Sequence, residues 1–198
     1  KKEGISLSLS FCASSINYQD VGGVAKFASA RGIDRVMVGE VLPFYGSDSK
    51  TQALSFSRDE YENFIKKTVK LKENMSSMQI GINTEWGFLF SDKIEHSPCT
   101  ALERDMAILY NGEVSPCPFI RPNKYTLGNI VDSNISSIWQ SDNSSEFRKN
   151  KHKGCTASCE YYKECLSGCV AGLANEGLSI AQRDPRCYLL SEAQIGRQ

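Results

Sequence analysis

No stretch of this chain stays apolar over the 18 or so residues that a transmembrane helix needs. Lys1-Lys2-Glu3-Gly4 is not followed by the hydrophobic segment of a secretory signal either. The expectation is a soluble, cytoplasmic protein with no membrane partner. Charge of one sign is not in excess: 23 Lys and Arg stand against 23 Asp and Glu. A protein that grips a phosphate backbone needs a basic surplus to release counterions, so nucleic acid is disfavoured as a partner. Cysteine is almost missing from the first half, where Cys12 stands alone, and crowded into the second, at 99, 117, 155, 159, 165, 169 and 187. In a reducing compartment such crowding means metal or thiol chemistry more often than disulfides.

The first half alternates strand and helix patterns. Residues 5–12 place Ile5, Leu7, Leu9 and Phe11 on one face and Ser6, Ser8, Ser10 and Cys12 on the other. Asp20 is the expected N-cap of a helix to Ala30, stopped by Gly32, with Val21, Val24, Ala25 and Ala28 on one side. Asp34 to Phe44 reads as a second strand. Ser57 and Glu60 form a capping box for a helix through Lys72, with Tyr61, Phe64, Ile65 and Val69 as its apolar stripe. Met78, Ile80 and Ile82 mark a third strand. The order predicts an α/β fold with a parallel sheet and helices outside. Three strands are few for such a sheet, so further elements upstream are expected. The small polar face suits a partial barrel whose lumen holds a ligand, or equally an open sheet facing solvent.

In the second half, Met106–Tyr110 and Glu113–Ser115 flank Asn111-Gly112, which predicts a hairpin with a two-residue type I′ turn that delivers Cys117. Cys155-x3-Cys159-x5-Cys165-x3-Cys169 follows, and Cys187 closes the set. Seven thiolates exceed one tetrahedral site and are one short of two. Either a non-cysteine ligand fills the eighth position or one site stays open. A zinc-stapled structural or interaction module is the alternative reading, since four-thiolate zinc sites also stabilise small folds.

Cys99-x12-Gly112-x4-Cys117, the four-cysteine run and Cys187 together resemble the SPASM domain of radical S-adenosylmethionine (SAM) enzymes that modify peptides and proteins. Leu127-Gly128-Asn129-Ile130 and Ile138-Trp139 resemble the segment that links hairpin and cysteine run in that family. The resemblance implies that residues 1–92 are the C-terminal half of a radical SAM partial (β/α) barrel and 93–198 a SPASM domain with a β-hairpin and short helices. It implies two auxiliary 4Fe-4S clusters, the first on Cys99, Cys117 and Cys169, the second on Cys155, Cys159, Cys165 and Cys187. Cys155-x3-Cys159 departs from the family, which usually has two intervening residues. Residues 90–98 hold no additional cysteine, and His96 is the nearest metal-capable side chain there.

No Cys-x3-Cys-x2-Cys is present, the triplet that in radical SAM enzymes ligates the SAM-cleaving cluster. The chain is therefore expected to be the C-terminal portion of such an enzyme and by itself inactive in SAM cleavage. Pro118 stands where sulfatase-maturing members have an Asp, which turns the expectation toward a maturase of ribosomally made peptides. The product would be a thioether or carbon-carbon crosslink, or an epimerised residue. A precursor peptide, and an electron donor such as flavodoxin or ferredoxin, are the expected partners. Cys12 is a candidate hydrogen-atom donor, though an unligated cysteine also serves as a small buried hydrophobe. Ser8, Ser10, Glu40 and Asn83 are candidates for holding SAM, or equally lumen filler and a solvated strand end. Trp86 and Trp139 are expected to pack, Trp139 over a cluster.

Overall fold

The period-2 patterns of the first half form three strands, β1 (Ser8–Ala13), β2 (Arg35–Glu40) and β3 (Gln79–Asn83), all parallel and in that order. The computed structural model describes residues 4–42, 53–94, 99–120, 125–155 and 158–189, which divide into two compact units, the described residues up to 94 in one and those from 99 in the other. The register sets Leu9 beside Val36 and Ile80, and Phe11 beside Val38 and Ile82. The apolar positions therefore merge into one face, and the central strand buries Val36 and Val38 completely. The opposite face carries the rungs Ser8–Arg35–Gln79, Ser10–Met37–Gly81 and Cys12–Gly39–Asn83.

The first strand begins later than its pattern suggests: Ile5 and Leu7 are exposed, although the Leu7 carbonyl still accepts from the Asp34 and Arg35 N–H groups and Leu7 N–H donates to the Asp34 carboxylate. The second ends earlier, at Glu40, with Val41 N–H donating to the Ala13 carbonyl, and Phe44 lies outside the described residues.

Helix α1 (Val21–Ala30) starts and stops where the sequence places it, and Gly32 takes φ +65° after its end. Asp20 makes no side-chain cap, because a 3-10 turn over Tyr18–Asp20 already sets it in helical dihedrals, whereas a capping side chain folds back from an extended residue. Helix α2 (Arg58–Asn74) has its capping box: Ser57 N–H donates to Glu60 Oε2 at 2.9 Å and Glu60 N–H to Ser57 Oγ at 3.4 Å. Its buried stripe is Tyr61, Phe64, Ile65 and Thr68, so Thr68 takes the place expected of Val69. The Thr68 hydroxyl is satisfied by the Phe64 carbonyl at 2.8 Å, which lets a β-branched polar residue lie in the core. Phe56 stacks on Phe64 at 5.2 Å and meets Tyr18 and Tyr61 edge-on.

The second unit is built on a small antiparallel sheet, β4 (Ala107–Ile108), β5 (Glu113–Ser115) and β6 (Gly128–Asn129), with β5 central. The hairpin loop is not the expected two-residue type I′ turn. Leu109 N–H donates to the Glu113 carbonyl at 2.8 Å and Gly112 N–H to the Leu109 carbonyl at 3.0 Å, leaving a three-residue loop, Tyr110-Asn111-Gly112. A type I′ turn needs φ above zero at both central residues, and here Gly112 (φ +83°) has it while Asn111 does not. Four short helices follow: α3 (Ile135–Gln140), capped by Asn134, α4 (Asp142–Asn150), capped by Ser141, α5 (Tyr162–Cys165) and α6 (Val170–Asn175). Leu102, Val114, Ile120, Leu127, Ile138 and Phe147 join α6 in one core.

Candidate metal centre

Two groups of sulfur atoms emerge from this second unit. Cys117 lies two residues after β5, where the Ser115 hydroxyl donates to the carbonyls of Cys117 (3.0 Å) and Ile120 (2.8 Å) and cinches a turn around it. Pro118 contributes no N–H to that turn, and Phe119 N–H donates to Cys117 Sγ at 3.3 Å. Burial pushes the Cys117 thiol up, the amides of Phe119 and Ile120 pull the other way, and the neighbouring Cys99 thiol adds to the rise. Cys99, Cys117 and Cys169 all pack against the same apolar core.

The second group surrounds Arg183. Its guanidinium donates to Cys187 Sγ at 3.7 Å, and its charge is felt at Cys155 and Cys159. Two local devices hold it there. Asp184, 1% exposed, accepts from Arg186 N–H (2.9 Å), Nε (3.0 Å) and a terminal nitrogen (2.6 Å), and Cys187 N–H closes the Asp184-Pro185-Arg186-Cys187 turn on the Asp184 carbonyl. Gly154 lies flat on the Gln182–Arg183 backbone, where a Cβ would come within 1.9 Å of the Gln182 carbonyl oxygen. Only glycine brings the loop of Cys155 so close. Burial raises the Cys155 thiol, with the Ser167 hydroxyl and Arg183 opposing it and Cys159 and Cys187 adding to it.

Between Cys165 and Cys169 the chain passes through three successive left-handed residues, Leu166 (φ 50°), Ser167 (φ 72°) and Gly168 (φ 87°). For non-glycine residues this costs roughly 1–2 kcal/mol each, so the reversal is held by its surroundings. Ser167 holds it: its hydroxyl donates to the His152 carbonyl (3.1 Å) and accepts from Cys155 N–H (3.0 Å). The reversal takes Cys169, at the N-terminus of α6, to the hairpin core that Cys99 and Cys117 share.

The donor set is all sulfur, half-buried, with peptide N–H groups and one guanidinium directed at it. Arg183 Nε is buried with no hydrogen-bond partner among the described residues, a donor left for an anionic acceptor. This chemistry fits a thiolate-bound iron-sulfur centre. Among the described residues no three His, Cys, Asp or Glu close around a point that would hold a single metal ion. His96 lies outside the described residues.

In the first unit, Cys12 and Asn83 share a rung across Gly39 at the carboxyl ends of the parallel strands. Cys12 is exposed, and its local surroundings, then the Glu40 carboxylate, push its thiol up. Glu40 is turned to the Glu85 N–H, which it accepts. Ser8 and Ser10 lie farther back along the same face, both exposed. Trp86 is buried, 3% exposed. Trp139 packs on the second core under the Arg148 guanidinium, 4.7 Å from its ring centre.

Residues 99–166 match the SPASM iron-sulfur cluster-binding domain. By sequence the chain is similar to two maturases. It is 36% identical over 78 residues to mycofactocin maturase MftC of Mycolicibacterium smegmatis, and 34% identical over 62 residues to the cysteine-type anaerobic sulfatase-maturating enzyme of Clostridium perfringens. Those segments are 38% and 30% of this chain but only 20% and 16% of the two relatives. The fold is similar to a solved structure described as native anSMEcpe with bound AdoMet, at TM-score 0.60 and 18% identity, over 89% of this chain and 49% of that one. A second, anSMEcpe with bound AdoMet and the Kp18Cys peptide, aligns at TM-score 0.57 and 18% identity over 83% and 48%. The chain thus spans about half the length of these structures.

Cys169 and Cys187 lie past the matched segment of the SPASM domain, and so does Arg183, which cysteine spacing did not single out. The available signal was a basic residue four positions before the last cysteine, in a turn marked by Asp184-Pro185. Gly154, directly before Cys155, was the other unread position.

Proposed function

We propose that this chain works as part of a radical SAM/SPASM maturase acting on a ribosomally made peptide, with residues 1–92 as half of the partial barrel and 93–198 as the SPASM domain. The observation that carries this reading is the match of residues 99–166 to an iron-sulfur cluster-binding domain, in a chain where Cys99, Cys117 and Cys169 pack on one core and Cys155, Cys159 and Cys187 lie about Arg183. Cys99, Cys117 and Cys169 would hold one 4Fe-4S cluster, and Cys155, Cys159, Cys165 and Cys187 a second. Such clusters, when bound, supply one-electron transfer and a ligation point for a substrate thiol. Around the first, the Phe119 amide would stabilise the Cys117 thiolate and the Ser115-held turn would fix its position. Around the second, Gly154 and the Asp184–Arg186 pair keep the two loops in register.

In the barrel half, Cys12 would offer its thiol hydrogen to a substrate radical, and Asn83, Glu40, Ser10 and Ser8 would contact SAM. The carboxyl ends of parallel strands are where ligands bind in such sheets, which supports Cys12 and Asn83 most directly. SAM cleavage itself would be performed by residues outside this chain, which lacks the Cys-x3-Cys-x2-Cys triplet. The product would be a thioether or carbon-carbon crosslink or an inverted stereocentre, with a flavodoxin or ferredoxin as electron donor, in the cytoplasm.

The test is anaerobic reconstitution of the chain with iron and sulfide. About eight irons per chain with broad visible absorption is the expected result. A colourless protein holding two zinc ions would overturn it in favour of a zinc-stapled module.

A further inference from the structure

The cysteine pattern assigns ligands but no cation, and a thiolate-bound cluster that accepts an electron gains negative charge. We propose that Arg183 is a positioning residue that raises the electron affinity of the centre held by Cys155, Cys159 and Cys187, acting through its hydrogen bond to Cys187 Sγ and its fixed charge. This rests on the reading that those cysteines hold an iron-sulfur cluster.

Three observations carry it. Arg183 donates to Cys187 Sγ at 3.7 Å and lies within electrostatic reach of Cys155 and Cys159, so one guanidinium faces three sulfurs from two separate chain segments. Its Nε is buried without a partner among the described residues, which leaves a second donor for a sulfur of the centre. Its placement is set by the protein alone: Gly154 packs on its backbone from one side, and the Asp184–Arg186 pair fixes the turn that follows. The adjacent Arg186 is engaged by the buried Asp184, which compensates its charge, and Arg183 has no ion pair with a carboxylate among the described residues. A cation beside thiolates favours the reduced form of a cluster, and hydrogen bonds to its sulfurs do the same. The geometry of a planar fork, with several donors at fixed angles, explains why arginine rather than lysine occupies the position.

The experiment is a potentiometric titration with dithionite, followed by electron paramagnetic resonance, of the full chain reconstituted anaerobically, alongside iron analysis. Arg183→Gln is expected to keep its iron and to shift the midpoint of one cluster to a more negative value while the other stays put. A ten-fold change in that reduction equilibrium would read as about 59 mV for one electron. Full iron with both midpoints unmoved would overturn the proposal. If Arg183→Gln loses iron, Arg183→Lys decides: recovery of iron with the midpoint kept near the wild-type value supports a charge role, and failure to recover iron, or recovery with a midpoint far from the wild-type value, overturns that role. A wild-type chain that takes up no iron would instead remove the cluster reading on which the inference stands.

Discussion

Cys117 and Cys187 each receive a hydrogen bond on sulfur, from the Phe119 amide and from Arg183, and each donor belongs to a different turn. The two groups of thiols should accordingly be separable by single substitution. Cys117→Ala is expected to remove about four of eight irons and leave the spectrum of the other cluster in place, measured by iron analysis and low-temperature resonance. Loss of all iron would show one shared centre. His152, half-buried at φ +67°, is pushed below its ordinary pKa, chiefly by burial and next by Lys151. The native state therefore binds fewer protons than the unfolded one, and its stability is lost as pH falls below about 6.5, the unfolded value. His152→Asn, which tolerates the left-handed backbone, should flatten that acid limb in thermal melts. An unchanged slope would assign the limb to other groups. Cysteine positions were legible in the sequence because thiol chemistry is carried by residue type. Arg183 was not, because its role depends on which sulfur it reaches.

At the scale of elements, the helix signals were legible where the backbone alone satisfies them. Ser57 and Glu60 cap α2 as their spacing requires. Ser57→Ala is expected to cost about 1 kcal/mol, read as an earlier urea midpoint for helical circular dichroism. A shift within error would mean that packing of Phe56 and Phe64 carries the helix start. Asp20 carried the same local signal and makes no side-chain cap, because the 3-10 turn before it arises from contacts of Ser14 and Asn17 that a window of sequence does not weigh. The hairpin shows a similar limit: Asn-Gly marks the reversal, yet strand pairing from Ile108 with Val114 leaves three loop residues and only Gly112 at positive φ. Between loops, Gly154→Ala should force apart the Cys155 loop and the Gln182–Arg183 backbone, since no flexible side chain can yield there. The expected outcome is loss of the Cys155–Cys187 cluster with the hairpin cluster retained, checked by iron content of the variant.

For the whole molecule, the two units draw on different sources of stability. Residues 4–94 hold a three-stranded sheet under two helices with an aromatic core around Tyr61 and Phe64. Residues 99–189 have two- and three-residue strands and helices of four to nine residues, too short to persist without tertiary support. Chelating iron should therefore make the second unit protease-sensitive while the first keeps its helical signal. Equal resistance with and without metal would show that its apolar core suffices. What the sequence by itself determined was what depends on residue type and local spacing: parallel α/β order from period-2 and helical stripes, the capping box, the glycine at the hairpin, and seven late cysteines, five of them within the segment that matches the SPASM domain. What only the tertiary structure decided was convergence between distant segments: Cys99, Cys117 and Cys169 on one core, Gly154 against Gln182, and Arg183 among Cys155, Cys159 and Cys187. The physical reason is that such contacts join separate stretches of chain, and their partners are chosen by loop reversals such as Leu166-Ser167-Gly168, whose left-handed backbone is opposed by local preference and imposed by packing.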